Sequence, residues 1–142
     1  MKALVDADAC PVVDIVIGLC REFSIECLLF CDTAHEMYRE GAQTLVFDKG
    51  ADSVDYALVN RAGQGDVVIT QDYGLASMCL ARGARVLHQD GWEYTAYNID
   101  ALLFQRHAAK EYRASGGRIK GPAKRKPAQN DTFYKALRKI LE

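Results

Sequence analysis

The sequence predicts an α/β fold, a three-layer parallel sheet of about five strands in the order 3-2-1-4-5, with a helical, basic appendage at the C-terminal end. Three observations carry this. Short apolar runs of strand length alternate with helical stretches along residues 3–88. Right-handed crossovers then bring the first and fourth runs side by side, so the gap between them is the topological switch point. Beyond Trp92 the alternation stops, and helices flank a Gly/Pro loop dense in lysine and arginine. At 142 residues and 49% hydrophobic content the chain is one domain long. It divides into a core over residues 1–95 and, packing on the same domain, C-terminal helices with the basic loop over residues 96–142.

Each element has its own warrant. Ala3, Leu4 and Val5 form a buried strand that delivers Asp6 and Asp8 at spacing two, which in a continuing strand puts both carboxylates on one face. Pro11 suits the first turn of a helix over residues 11–23, apolar all round and so packed deeply. Residues 25–30 (IECLLF) are a second strand. Asp32 and Thr33 can cap a short polar helix that runs through Arg39 and stops at Gly41. Residues 44–47 (TLVF) are a third strand, and residues 52–62 a helix with Val54, Ala57, Leu58 and Ala62 toward the core. Residues 66–70 (DVVIT) are a fourth strand, followed by a helix from Asp72 to Arg82 and a fifth strand over residues 85–88. A helix over residues 99–114 turns Ile99, Leu102, Leu103 and Ala109 inward, and residues 115–127 form the basic loop. A last helix, residues 131–141, docks through Phe133, Leu137 and Ile140.

Charge is divided along the chain. Residues 1–100 hold 7 Lys+Arg against 16 Asp+Glu, and residues 101–142 hold 11 against 3, although the net charge is only −1. Such asymmetry fits either an acidic site beside a basic binding segment or a basic arm docked on an acidic body. The five cysteines show no C-x-x-C pair and lie mostly in apolar runs, which reads as free thiols in a reducing compartment. His35, His88 and His107 have no metal-ligand spacing. No apolar run approaches the roughly 18 residues of a membrane span, and no signal-like leader is seen, so the expectation is a soluble cytoplasmic protein.

Five acids converge if the topology holds: Asp6 and Asp8 after the first strand, Asp52 and Asp55 in the first turn of the helix after the third, and Asp72 after the fourth. Carboxylates crowded at one point repel unless a cation sits among them, and Mg²⁺ or Mn²⁺ suits such oxygen ligands. Here Asp6, Asp8, Asp55 and Asp72 are the candidate ligands, and Asp52 joins them as a candidate catalytic residue. Asp52 and Asp72 also sit where helix caps belong, and Asp55 where it would favour the helix dipole. Asp66 falls at the opposite end of its strand and is left out.

The stretches VDADACPV (5–12), GADSVDYALVN (50–60), GDVVITQDYGLA (65–76), GWEYTAYNIDALLFQRH (91–107), YRASGGRIKGP (112–122) and DTFYKAL (131–137) span nearly the whole chain. On these residues it resembles the YaiI/YqxD family of uncharacterised bacterial proteins. That family is similar to PIN-like metal-dependent nucleases, which gather acids at the ends of strands one and four and near an intervening helix. The resemblance implies a PIN-like core with Asp6, Asp52 or Asp55, and Asp72 as ligands and Asp8 beside them. Many relatives have a further acid where this chain has Tyr56, which implies a leaner metal site here.

Three functional readings follow. The first is a Mg²⁺- or Mn²⁺-dependent nuclease on RNA or single-stranded DNA, its phosphates gripped by Arg106, Arg113, Arg118, Lys120, Lys124, Arg125 and Lys126. The second is a haloacid-dehalogenase-type phosphohydrolase with Asp6 as nucleophile, Asp8 as acid, and Thr33, Lys49 and Asp72 in support. The third is a non-catalytic RNA-binding or assembly module that keeps a metal only for structure.

Overall fold

The computed structural model describes residues 1–50, 52–121 and 123–142. Ala51 of the GADSVDYALVN stretch and Pro122 of the expected loop lie outside them. In chain order the elements are β1 (Lys2–Asp6), α1 (Val13–Glu22), β2 (Glu26–Asp32), β3 (Gln43–Phe47), α2 (Ser53–Arg61), β4 (Val67–Ile69), α3 (Tyr73–Ala81), β5 (Arg85–Leu87), β6 (Glu93–Tyr94), α4 (Ile99–Ala114) and α5 (Ala128–Leu141). The sheet order is β3-β2-β1-β4-β5-β6, parallel except for the β5–β6 pair.

Strand parity sorts the core into two layers. Ala3, Val5, Cys27, Leu29, Val67 and Ile69 pack on one face with α1 and α5, where Phe133 and Leu137 are fully buried. Leu4, Leu28, Phe30, Val68 and Val86 pack on the other with Leu58 of α2, Leu75 and Cys79 of α3, and Ile99 of α4. Even-numbered side chains of β1 and β2 therefore look toward α2 and α3. That rule aims Asp6 and Asp32, the last residues of their strands, at the same helices.

Four details depart from the sequence expectation. Pro11 is in a turn, and α1 starts two residues later. No helix forms over residues 33–39, because Asp32 is used by the sheet and by a local turn instead of a cap. Thr33 N–H donates to Phe47 O at 3.0 Å and Ala34 N–H to Asp32 Oδ1 at 2.9 Å. Asp8 is off the strand: β1 stops at Asp6, and the chain turns through Ala9 at φ 54. The sixth strand, β6, is an antiparallel edge with the register Val86↔Tyr94 and Leu87↔Glu93.

The β5–β6 turn is held from outside. Gly91 has φ +95, and a Cβ there would lie 2.8 Å from Thr132 backbone and 2.9 Å from Phe133 N in α5. Gly91→Ala is therefore expected to cost about 2–3 kcal/mol, from backbone strain plus a collision that flexible side chains cannot absorb. A urea unfolding midpoint equal to wild type would contradict it.

α4 is anchored mainly at its start. Ile99 is buried and Leu102 and Leu103 pack on the α3 layer, whereas Phe104 is 72% exposed and the helix then stands clear of the body. The only tryptophan, Trp92, stacks on His88 at 4.4 Å and lies 4.5 Å from Tyr94.

Candidate functional site: an aspartate-lined cleft

At the carboxyl ends of β1, β2 and β4 lies a cleft of about 490 Å³ lined by Asp6, Asp8, Asp32, Asp52, Asp55 and Asp72, with Tyr73, Val54 and Arg106. All five acids picked out in the sequence line it. Asp32 escapes notice there, because it reads as a helix cap until its strand is seen to extend to it.

Asp6 sits deepest. Burial, with repulsion from Asp55, Asp72 and Asp8, pushes its carboxyl up to about 6, against the pull of the Thr70 hydroxyl, which donates to Oδ2 at 2.9 Å. Asp55, on the first turn of α2, is also raised, by burial and then by Asp72 and Asp52, with Arg106 opposing. Asp72 caps α3, accepting from Gly74 N–H at 2.8 Å and Leu75 N–H at 3.2 Å, and meets Arg106 Nη1 at 3.3 Å. Its capping role and its place in the cleft coexist.

Asp52 occupies the cap position of α2 without capping it. Its backbone is left-handed at φ 66 and its side chain makes no cap hydrogen bond. A non-glycine residue held there costs roughly 1 kcal/mol, and aspartate tolerates it better than most. Asp8 is half exposed, with Oδ1 3.7 Å from His35 Nε2, while His35 Nδ1 lies 2.8 Å from Asp32 Oδ1. The His35 ring holds the Asp32 carboxyl below its ordinary range.

Thr70, 2% exposed, is the bracket that sequence reasoning overlooks. Its hydroxyl donates to Asp6, its Oγ1 accepts Asp72 N–H at 3.0 Å, and its carbonyl accepts Tyr94 O–H at 3.2 Å. A threonine ending a β-branched run looks like strand propensity and nothing more. Thr70→Val is expected to cost about 1–2 kcal/mol and to raise the Asp6 pKa, since it removes a donor from one acid and an acceptor from the other's backbone. Denaturant unfolding, with NMR titration of the Asp6 carboxyl, checks both.

The cations picked out in the sequence do not act alike. Arg106 reaches the cleft; Arg113, Arg118, Lys120, Lys124 and Lys126 are exposed and outside its lining. Arg125 is engaged internally, its guanidinium donating to Asp90 Oδ1 at 3.2 Å, to Gln89 O at 2.9 Å and to Asn130 Oδ1. It ties the loop to the β5–β6 turn and, contrary to the sequence expectation, is not a free phosphate grip. Thr33 and Lys49, the supporting residues of the phosphohydrolase reading, are not among the described residues that line the cleft.

Residues 4–142 match the family described as "Uncharacterized BCR, YaiI/YqxD family". The chain belongs to the YaiI/YqxD family. Relatives named "UPF0178 protein" include one from Exiguobacterium sibiricum, 48% identical over 141 residues, 99% of this chain and 96% of that protein. Another, from Natranaerobius thermophilus, is 45% identical over the same shares of both chains, and one from Lachnoclostridium phytofermentans is 41% identical over 100% of this chain and 97% of its own. No solved structure matches the chain. The names of these YaiI/YqxD relatives state no activity. No helix among the described residues is long and apolar enough to cross a membrane.

Proposed function

We propose that this YaiI/YqxD chain is a divalent-metal-dependent nuclease acting on RNA or single-stranded DNA, in the reducing cytoplasm that its free thiols suit. The observation that supports it most is Asp6. A carboxylate on a core strand, largely out of water and repelled by three neighbouring aspartates, has among the described residues only the Thr70 hydroxyl as a donor to offset its charge. A divalent cation relieves that arrangement.

The donor set fits Mg²⁺ or Mn²⁺, being all carboxylate oxygen. Among the described residues no three His, Cys, Asp or Glu side chains stand close enough to hold an ion by themselves. That suits a cation that keeps several waters and takes one or two carboxylates directly. One or two of Asp6, Asp55 and Asp72 would hold it directly, with the remaining carboxylate, Asp8 and Asp52 receiving its waters. When bound, the cation activates water and neutralises charge developing on phosphate. Arg106 and the exposed cations of residues 113–126 bind the strand's phosphates, and the exposed rings of Phe104 and Tyr112 offer stacking surfaces beside them.

The test is calorimetric titration of Mn²⁺ into wild type and an Asp6→Asn/Asp72→Asn double variant, with labelled RNA cleavage in parallel. Binding and cleavage in wild type alone support the reading; equal or absent binding in both overturns it. The exposed basic loop favours one competing reading, a non-catalytic RNA-binding module. RNA binding that is salt-sensitive, survives excess chelator and yields no product would establish that alternative.

A further inference from the structure

Arg106 is the one described cation lining a cleft of six aspartates. Its Nη1 lies 3.3 Å from Asp72 Oδ1, the same oxygen that accepts Gly74 and Leu75 N–H, and its charge also reaches Asp55. The approach runs over Gly74, where a Cβ would lie 3.6 Å from Arg106 Nη1 and 3.3 Å from Asp72 Oδ1. The guanidinium thus has its seat against the first turn of α3. Yet this seat is not a buried structural bridge: the arginine side chain is 58% exposed and the aspartate 37%. It springs from the part of α4 just beyond Leu103, where the helix leaves the body.

An exposed pair of this kind stabilises a fold little. What it does instead is offset part of the cleft's negative charge. We propose that Arg106 is a built-in counterion of the cleft that a divalent cation displaces, freeing its guanidinium to take a phosphate of the single strand. The inference rests on the metal reading above. Two cations cannot both sit against Asp72 and Asp55 without repelling each other, so metal binding and the arginine seat compete. Once released, a flexible guanidinium at the rim of the cleft is suited to bidentate phosphate recognition. Metal and substrate are thereby coupled through one side chain, and the strand is held firmly only when the metal is in place.

The experiment compares wild type, Arg106→Ala and Lys110→Ala, the last removing a cation of the same helix from outside the cleft. Mn²⁺ is titrated alone by calorimetry, and a fluorescent phosphorothioate oligonucleotide of about twelve nucleotides is titrated by anisotropy in Mn²⁺ and in EDTA. Arg106→Ala is expected to bind Mn²⁺ about tenfold more tightly, and Lys110→Ala within about twofold of wild type. Arg106→Ala should weaken oligonucleotide binding about fivefold in Mn²⁺ and by less than about twofold in EDTA. Binding of Mn²⁺ by Arg106→Ala alone would support the proposal equally. Equal or weaker Mn²⁺ binding by Arg106→Ala, in a wild type that does bind, overturns the counterion and leaves the metal reading standing. No Mn²⁺ binding by any variant removes both. Arg106→Gln, which keeps the length of the stem, repeats the comparison if the alanine variant unfolds.

Discussion

Asp6→Asn is expected to yield a protein that is more stable than wild type and, on the nuclease function proposed above, inactive. Ionised Asp6 is destabilising because its folded pKa, about 6, lies above the ordinary 3.8. The folded chain therefore holds more protons than the unfolded one between those values, so stability falls as pH rises through that window and is lowest above it. Asparagine removes the charge yet still accepts from the Thr70 hydroxyl, which gives a gain of about 2 kcal/mol at pH 7 after allowing for partial solvent access. The gain should shrink as pH falls from 6 toward 4, where wild type takes up the proton itself. In the same variant, metal-dependent cleavage should drop by more than about a hundredfold. Urea midpoints of both proteins at pH 7.5 and 4.5, with RNA cleavage at the higher pH, check this. A less stable variant at neutral pH would show that Asp6 is satisfied as it stands.

The basic segment should separate into two classes of cation. Arg125→Ala is expected to cost about 2–3 kcal/mol, since it leaves Asp90 and the Gln89 carbonyl without a donor. Its effect on RNA affinity, scored below the melting temperature, should be small. The combined replacement of Arg118, Lys120, Lys124 and Lys126 by alanine should do the reverse. These side chains are exposed, so the melting temperature should stay within about 2 °C of wild type. The slope of log affinity against log salt should flatten by up to about 3, at roughly 0.7 for each phosphate no longer neutralised. An unchanged slope would mean that the loop does not meet nucleic acid.

Much of the fold is legible in the sequence because the signals are long. Apolar runs at strand length, separated by helical stretches, leave few topologies once crossovers are right-handed, and the order β3-β2-β1-β4-β5 follows. β6 is invisible because two residues, Glu93 and Tyr94, cannot display a period. The helix expected over residues 33–39 fails because the Asp32 side chain closes a local turn. The acids stand out because a carboxylate ending a core strand, as Asp6 does, has few bland uses, and because the topology gathers the helix-start acids at the same edge. Spacing alone puts Asp8 on the strand, since it does not reveal that the ladder ends at Asp6. Thr70 and Arg125 are misread for a common reason: hydrogen-bond partners are set by the fold, and Asp90 lies 35 residues from Arg125.

The stack of Trp92 on His88 has a practical consequence. With a single indole in the chain, all tryptophan emission reports one place, and Tyr94 beside it bonds the carbonyl of Thr70, whose hydroxyl meets Asp6. Burial pushes the pKa of the His88 ring below its ordinary value. The molecule therefore carries an intrinsic fluorophore linked to its acidic cleft through Tyr94 and Thr70. Shifts in that emission as ligands are added give a label-free view of the cleft's occupancy.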